Sequence, residues 1–319
     1  MKAAVYYKNG PPDVLRYEDV PDPKCYPNGV LIKVEAISVE GGDLGNRFGG
    51  PLMGNPHIVG YQCAGTIVEA GDRVTDRRVG DRVVATMLAG SHAEMVAVPA
   101  SFTWLIPPEG DIVECACVPI AFGTAHDSLF EFGHLKEGET VLVQAGASGV
   151  GVAAIQLARR AGATVFATAS SDERLERLIS LGLDRGFNYS GDAWVGEVRS
   201  ASGTGVNLVV DTVGGRILEG SAKCLGYRGR LISVGTSSRD RRPFDVSLLS
   251  IGNSTVTGYY MGAEMSGDRA REMVAALIDD VAAGDLKVVV DRTFPLAEAA
   301  KAHEYIESRQ AVGRVVLIP

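Results

Sequence analysis

Residues 141–163 read VLVQAGASGVGVAAIQLARRAGA. The apolar run VLVQ gives way to a turn of Ala145, Gly146, Ala147, Ser148, Gly149, Val150 and Gly151, and a helical pattern with a small, apolar face follows. Strand, glycine turn and helix in this order open a dinucleotide-binding fold. Glycine is needed where a Cβ would block a pyrophosphate or hold the helix off the strand, and the helix N-terminus aims its amides at the anion. The same turn can also be tight packing alone, so the flanking segments decide.

Downstream and upstream of the turn, β-rich runs at 140–144, 164–168, 186–189, 207–211, 230–234 and 255–260 alternate with helical patterns at 149–161, 172–181, 193–201 and 216–225. The second helix has Ser171 or Asp172 as its N-cap. Six strands with crossover-length helices predict a doubly wound parallel sheet. The first 110 or so residues instead carry short strand patterns at 2–7, 30–36, 66–70, 81–86 and 93–98, separated by turn signals. After 261, a helical stretch at 268–283, the strand-like KVVVDRTFP, a helix at 296–307 and the closing VGRVVLIP are expected to rejoin this β-rich part. The expected division is 1–122 completed by 263–319, with 123–262 as the cofactor domain.

A length of 319 residues suits two domains, and 46% hydrophobic against 22% charged residues is a globular balance. The net charge of −8 argues against nucleic acid or an anionic membrane as partner, since either asks for a dominant positive surface. No signal-peptide core opens the sequence and no 18 apolar residues run together, so a cytoplasmic protein is expected. The five cysteines form no CxxC pair and no zinc-spaced cluster, and reduced thiols are expected. The basic run Arg239-Asp240-Arg241-Arg242 reads as a solvated loop.

The second strand of the cofactor domain ends in Ala169-Ser170-Ser171, where an NAD-specific site would place an acid against the ribose 2′-hydroxyl. Asp172 falls one step late and suits a helix cap. Ser170, Ser171 and Arg174 can instead donate to a 2′-phosphate, which selects NADPH. Arg174 reads equally well as an exposed helix residue beside Glu173 or Glu176.

These segments, together with MKAAVYYKNGPPDVLRYEDVPDP, VGYQCAGTIVEAG, VGDRV, FGTAHDSL, AGASGVG, VDTVGG, GRLISVG and AHEYIESRQAVGRVVLIP, span nearly the full length. In them the chain resembles the zinc-independent quinone oxidoreductases of the medium-chain dehydrogenase/reductase superfamily. The resemblance implies a GroES-like catalytic domain, built from both chain ends, around an inserted Rossmann domain. It implies Thr124 near the nicotinamide, Gly149 and Val150 at the pyrophosphate, and Ser170, Arg174 and Tyr189 around the 2′-phosphate. Val213, Gly214, Gly215 and Ser233 to Gly235 would line the remaining cofactor path. It also implies a homodimer paired through the last strand, 255–260. Read without the resemblance, Tyr189 is a half-buried strand aromatic and Thr124 a helix cap.

Zinc-dependent relatives carry a ligand Cys in a CGxD-like segment and a His-Glu pair in GHExxG. The corresponding places here are Glu40-Gly41-Gly42-Asp43 and Gly60-Tyr61-Gln62, and no four-cysteine lobe is present, so no metal is expected. Without a Lewis acid the site suits hydride delivery to an electron-poor acceptor such as a quinone or α,β-unsaturated carbonyl. Relatives commonly place Asn at the Glu40 position and Tyr near Gly45, and both are changed here. Glu40, Asp43 and Arg47 are therefore the candidate catalytic residues, with a structural carboxylate as the other reading of Glu40. Tyr61, His126 and His57 read as structural, and Cys63 as a buried thiol with a reactive one as its alternative. The competing functions are an enoyl-thioester reductase, a catalytically weak NADPH-binding sensor or scaffold, and a zinc alcohol dehydrogenase.

Overall fold

A computed structural model describes residues 1–319. The strands are β1 (Lys2–Tyr6), β2 (Arg16–Asp19), β3 (Gly29–Ser38), β4 (His57–Ile58), β5 (Gln62–Ala70), β6 (Arg82–Thr86), β7 (Met95–Pro99), β8 (Thr103–Leu105), β9 (Thr140–Val143), β10 (Thr164–Ala169), β11 (Arg185–Asn188), β12 (Val206–Asp211), β13 (Leu225–Ser233), β14 (Thr255–Gly258), β15 (Val290–Pro295) and β16 (Arg314–Ile318). The helices are α1 (Gly41–Gly49), α2 (Ile112–Cys115), α3 (Val118–Leu129), α4 (Gly149–Arg160), α5 (Asp172–Ile179), α6 (Trp194–Ser202), α7 (Gly215–Cys224), α8 (Ser247–Ser250), α9 (Met261–Glu264), α10 (Asp268–Ala282) and α11 (Ala299–Glu307). The chain forms two compact units, one of Met1–Ile120 with Met265–Pro319 and the other of Ala121–Glu264.

The first unit is β-rich. A seven-stranded sheet runs β15-β16-β3-β5-β6-β8, with β7 also paired to β3, and a smaller sheet runs β2-β1-β4. The last strand, β16, lies antiparallel to β3 and sets Leu317 opposite Ile37, so the tail completes a sheet begun by the first third of the chain. Ile32, Ile37, Ile67, Val83, Val96, Leu296, Val315 and Leu317 share one buried core, which ties residues far apart in sequence by apolar burial.

The second unit is a single six-stranded sheet in the order β11-β10-β9-β12-β13-β14, parallel throughout. Relabelled within the unit, this is 3-2-1-4-5-6, the doubly wound order whose ligand crevice opens at the strand C-termini beside the first strand. Leu142, Val209 and Leu231 of the three central strands join one core with Phe166, Phe187, Trp194 and Ile217. Their near-continuous apolar runs are what a sheet covered on both faces requires.

One helix has no forerunner in the sequence patterns, and two local readings are corrected. Residues 41–49, GGDLGNRFG, form α1 although four glycines hide any helical pattern. Helix α7 stops at Cys224 and β13 begins at once at Leu225, five residues earlier than the apolar run at 230 suggests. The last strand of the parallel sheet ends at Gly258 rather than 260.

Candidate active site

The glycine turn follows β9. Ala145 takes a left-handed φ of 52°, which turns the chain sharply out of the strand. A Cβ at Gly146 would lie 2.7 Å from the Ala167 Cβ, and one at Gly151 would lie 2.5 Å from the carbonyl oxygens of Ala145 and Gly146. Both positions exclude any other residue, because the turn, β10 and α4 approach too closely for a side chain. Ser148 caps α4 by accepting from the Gly151 amide at 3.1 Å. That leaves the first helical amides, at Gly149 and Val150, at a positive helix end.

A buried polar chain holds this turn and a second one in register. Thr168 Oγ1 donates to Gln144 Oε1 at 2.5 Å, Gln144 Nε2 donates to Ser221 Oγ at 3.0 Å, and Ser221 Oγ donates to Asp211 Oδ2 at 2.7 Å. Thr168 Oγ1 also accepts from the Ala145 amide at 3.3 Å, and Asp211 Oδ1 accepts from the amides of Val213 and Gly214, each at 2.8 Å. Burial raises the Asp211 carboxyl against the stabilising effect of these donors. The Gly214 turn, with φ of 75°, packs against the next loop, where the Val234 amide donates to Asp211 O at 2.8 Å. A Cβ at Gly214 would stand 3.2 Å from Gly235 O, so the turns after β12 and β13 are closely packed.

At the end of β10 the Arg174 Nη1 donates to Ser170 Oγ at 2.8 Å, and Ser171 caps α5 by accepting from the Arg174 amide. Tyr189 is brought alongside, its amide donating to Ala169 O at 3.0 Å. Asp172 accepts from Asn188 Nδ2 at 3.3 Å and is the first residue of α5, not its cap. Ser190, which the sequence reading misses, donates its hydroxyl to Ser170 O at 2.8 Å. Only the register of β11 against β10 signals it. Thr124 is buried within α3, in mid-helix and not at a cap. A glycine cradle, a helix N-terminus and a Ser-Arg cluster lacking a carboxylate at the strand end fit a dinucleotide bearing a 2′-phosphate.

In the first unit the changed metal-ligand places are filled by a packed polar cluster. Glu40 is 4% exposed, accepts from Gln62 Nε2 at 2.6 Å and from Ser38 Oγ at 3.2 Å, and forms an ion pair with Arg314 Nη2. Gln62 Oε1 accepts from the Ile120 amide at 3.0 Å. Asp43 Oδ2 accepts from the Glu40 amide at 2.8 Å at the start of α1, and complete burial raises its carboxyl well above the usual range. Arg47, with no side-chain exposure, donates to Glu307 Oε1 at 2.6 Å, His303 Nδ1 at 2.8 Å and Gly10 O at 3.2 Å. Glu40 and Arg47 thus spend polar atoms on protein partners within this unit, and Asp43 binds the Glu40 amide through Oδ2 while its buried Oδ1 has no partner.

The remaining candidates divide in the same way. Burial pushes the Cys63 thiol up to about 12, which makes it a packing residue. His57 is 2% exposed and accepts from the Met53 amide at 3.0 Å, and His126 sits on α3 at 3.3 Å from Asp127 Oδ1. Tyr61 is different, being half-buried, with its hydroxyl accepting from Asn46 Nδ2 at 2.8 Å. No three His, Cys, Asp or Glu side chains converge as metal ligands. No helix is long and apolar enough to cross a membrane.

A GroES-like β-rich unit combined with a Rossmann-type parallel sheet defines the medium-chain dehydrogenases/reductases, a class of oxidoreductases. Residues 26–108 match the alcohol dehydrogenase GroES-like domain and residues 149–280 the zinc-binding dehydrogenase family. The 2-haloacrylate reductase of Burkholderia sp is 34% identical, the alignment covering 99% of this chain and 98% of the relative. The quinone oxidoreductase of Sus scrofa is 30% identical over 100% and 98%. The synaptic vesicle membrane protein VAT-1 homolog of Danio rerio is 31% identical over 90% of the chain, and 63% of its own length is spanned. Among solved structures, mycobacterial Rv1454c complexed with NADPH superposes with a TM-score of 0.94 at 35% identity, covering 100% of both chains. The chain belongs to the zinc-independent quinone oxidoreductase family of this superfamily.

Proposed function

We propose that the protein reduces a quinone or an α,β-unsaturated carbonyl with hydride from NADPH. The observation that carries this reading is the end of β10, where Arg174 lies on Ser170 at 2.8 Å with no acidic residue between Ala169 and Ser171. NADPH, when bound, supplies the hydride. The α4 amides at Gly149 and Val150 hold its pyrophosphate, Ser170, Ser171, Arg174 and Tyr189 hold the 2′-phosphate, and Val213, Gly214, Ser233 and Gly235 line the path toward a nicotinamide beside Thr124. Glu40 is committed to Arg314, and Tyr61 with Gln62 replaces the His-Glu pair, so the donor set suits no catalytic zinc. An acceptor already polarised toward reduction needs no such ion. Similarity to a 2-haloacrylate reductase, by its name an enzyme of conjugated double bonds, supports this acceptor class.

The test is NADPH oxidation with 1,4-benzoquinone, 2-cyclohexen-1-one and a crotonyl thioester, each with and without EDTA. Turnover of either of the first two, unaffected by EDTA, is expected. Turnover of the thioester alone identifies an enoyl-thioester reductase, and NADPH binding without any turnover identifies a sensor or scaffold.

We also propose homodimerisation through β14, the edge of the parallel sheet. Val256 is 37% exposed there, with Tyr260 at 67% just beyond it. Light scattering that returns a monomer mass at working concentration rejects this pairing.

A further inference from the structure

The dinucleotide unit contains a row of polar side chains sealed from its surface. Val143 pairs with Ala167 on one side and with Val210 on the other, so the next residues along these three strands, Thr168, Gln144 and Asp211, stand side by side. Ser221 of α7 joins them, and all four are 0% exposed. The protons of this row follow by elimination from its acidic end. Asp211 Oδ1 is occupied by the amides of Val213 and Gly214, so Oδ2 is left for the single proton of the Ser221 hydroxyl. Ser221 Oγ must then accept, which turns the Gln144 amide nitrogen toward it and the amide oxygen toward Thr168. The Thr168 proton goes to that oxygen, and Thr168 Oγ1 is left to accept from the Ala145 amide. Every bond therefore donates in one direction, from the turn after β9 to the turn after β12. A reversal at either end leaves a buried proton without an acceptor at the other, so the members of such a chain do not act separately. Its two ends are functional surfaces: Ala145 opens the glycine turn at φ of 52°, and the amides on Asp211 belong to the turn that leads into α7.

We propose that Gln144 and Ser221 are positioning residues for NADPH, which through this one-way chain lock the Ala145 turn and the Val213–Gly214 turn at the spacing a dinucleotide spans from its pyrophosphate toward its nicotinamide. This rests on the placement of NADPH given above. Neither side chain touches the dinucleotide. With the chain broken, the two turns settle independently, and binding must restore their spacing. The adenosine 2′-phosphate end, at Ser170, Ser171, Arg174 and Tyr189, lies outside the chain and keeps its affinity. Strands β10 and β12 stand two strand spacings apart, about 9.5 Å. Substitutions at that separation ordinarily add, so coupling between Thr168 and Ser221 reports the chain through Gln144.

The test is titration calorimetry with NADPH and with adenosine 2′-monophosphate, which has no pyrophosphate. Thr168→Val and Ser221→Ala are each expected to raise the Kd for NADPH about tenfold, the effect of one broken buried hydrogen bond, and to leave that for adenosine 2′-monophosphate within about twofold. The double variant should stay near about tenfold instead of reaching about a hundredfold. Gln144→Glu supplies a readout that packing alone would not move. Its neutral carboxyl accepts from Thr168 and donates to Ser221 as the amide does, whereas the ionised form has no proton to give. The ratio of its NADPH Kd to that of the parent is expected to lie near one at about pH 6 and to reach about tenfold by about pH 9, because a buried carboxyl ionises late. A double variant at about a hundredfold, an adenosine 2′-monophosphate Kd that rises in step with the NADPH Kd, or single variants within about twofold of the parent overturn the inference. Where circular dichroism shows Thr168→Val or Ser221→Ala unfolded, a pH-independent ratio for Gln144→Glu overturns it instead. A parent protein that binds no NADPH fails the earlier placement, an outcome distinct from a parent that binds and variants that bind equally well.

Discussion

At Ser170 the second strand of the parallel sheet runs out without a carboxylate, and the Arg174 guanidinium is turned onto the serine hydroxyl at 2.8 Å. The missing acid is legible in the sequence because it depends on one position after one strand. The pairing of Arg174 with Ser170 is not, since an arginine at the third position of a helix serves equally well in a surface pair with Glu173 or Glu176. Ser190 is illegible for a different reason, as it comes near Ser170 only through the pairing of β10 with β11. A charge-assisted hydrogen bond contributes about 1.5–3 kcal/mol. Arg174→Ala is therefore expected to weaken NADPH binding by about tenfold to a hundredfold and to leave NADH nearly untouched, as titration calorimetry with both dinucleotides would record.

Helix α1 shows where an element escapes sequence reading. Each interior glycine costs a helix about 1 kcal/mol relative to alanine, so GGDLGNRFG carries no helical signal of its own. It forms because Asp43 reaches back to the Glu40 amide, because Leu44 is buried, and because Arg47 finds Glu307, a residue 260 positions away. None of these contacts is visible to a local window. The parallel strands were legible for the opposite reason, since burial on both faces writes itself as uninterrupted apolar runs. Two glycines of α1 should respond oppositely to substitution. Gly45→Ala places its methyl in open space and should raise stability by about 0.5–1 kcal/mol. Gly42→Ala should lower stability, because its Cβ meets the Tyr61 ring at 2.4 Å. Urea midpoints for the two variants would check the contrast.

Across the molecule, the first unit is fastened by a chain of imidazoles. Arg47 can only donate, so His303 Nδ1 accepts from it and the remaining His303 proton sits on Nε2, facing His92 Nε2 at 3.1 Å. Both rings are neutral in this arrangement, and burial presses His92 down to about 3 and His303 well below its ordinary value. An unfolded histidine binds a proton near 6.5 while the folded His92 does not. This contribution to stability is therefore complete above about pH 6.5 and is lost as the pH falls toward about 3. Thermal midpoints should fall on acidification through this window, and His92→Gln should flatten the slope. An unchanged slope in that variant would remove His92 from the explanation.

Strands β3 and β16, from opposite flanks of the dinucleotide unit, pair in one sheet with Leu317 opposite Ile37, whereas Ala121–Glu264 is contiguous. A ribosome therefore delivers the dinucleotide unit whole while β3 still lacks its neighbour β16. The nucleotide-holding half can become native on the emerging polypeptide, and the other half stays open until β16 leaves the exit tunnel. Protease protection of arrested nascent chains should accordingly appear first in the middle of the polypeptide and last at its beginning.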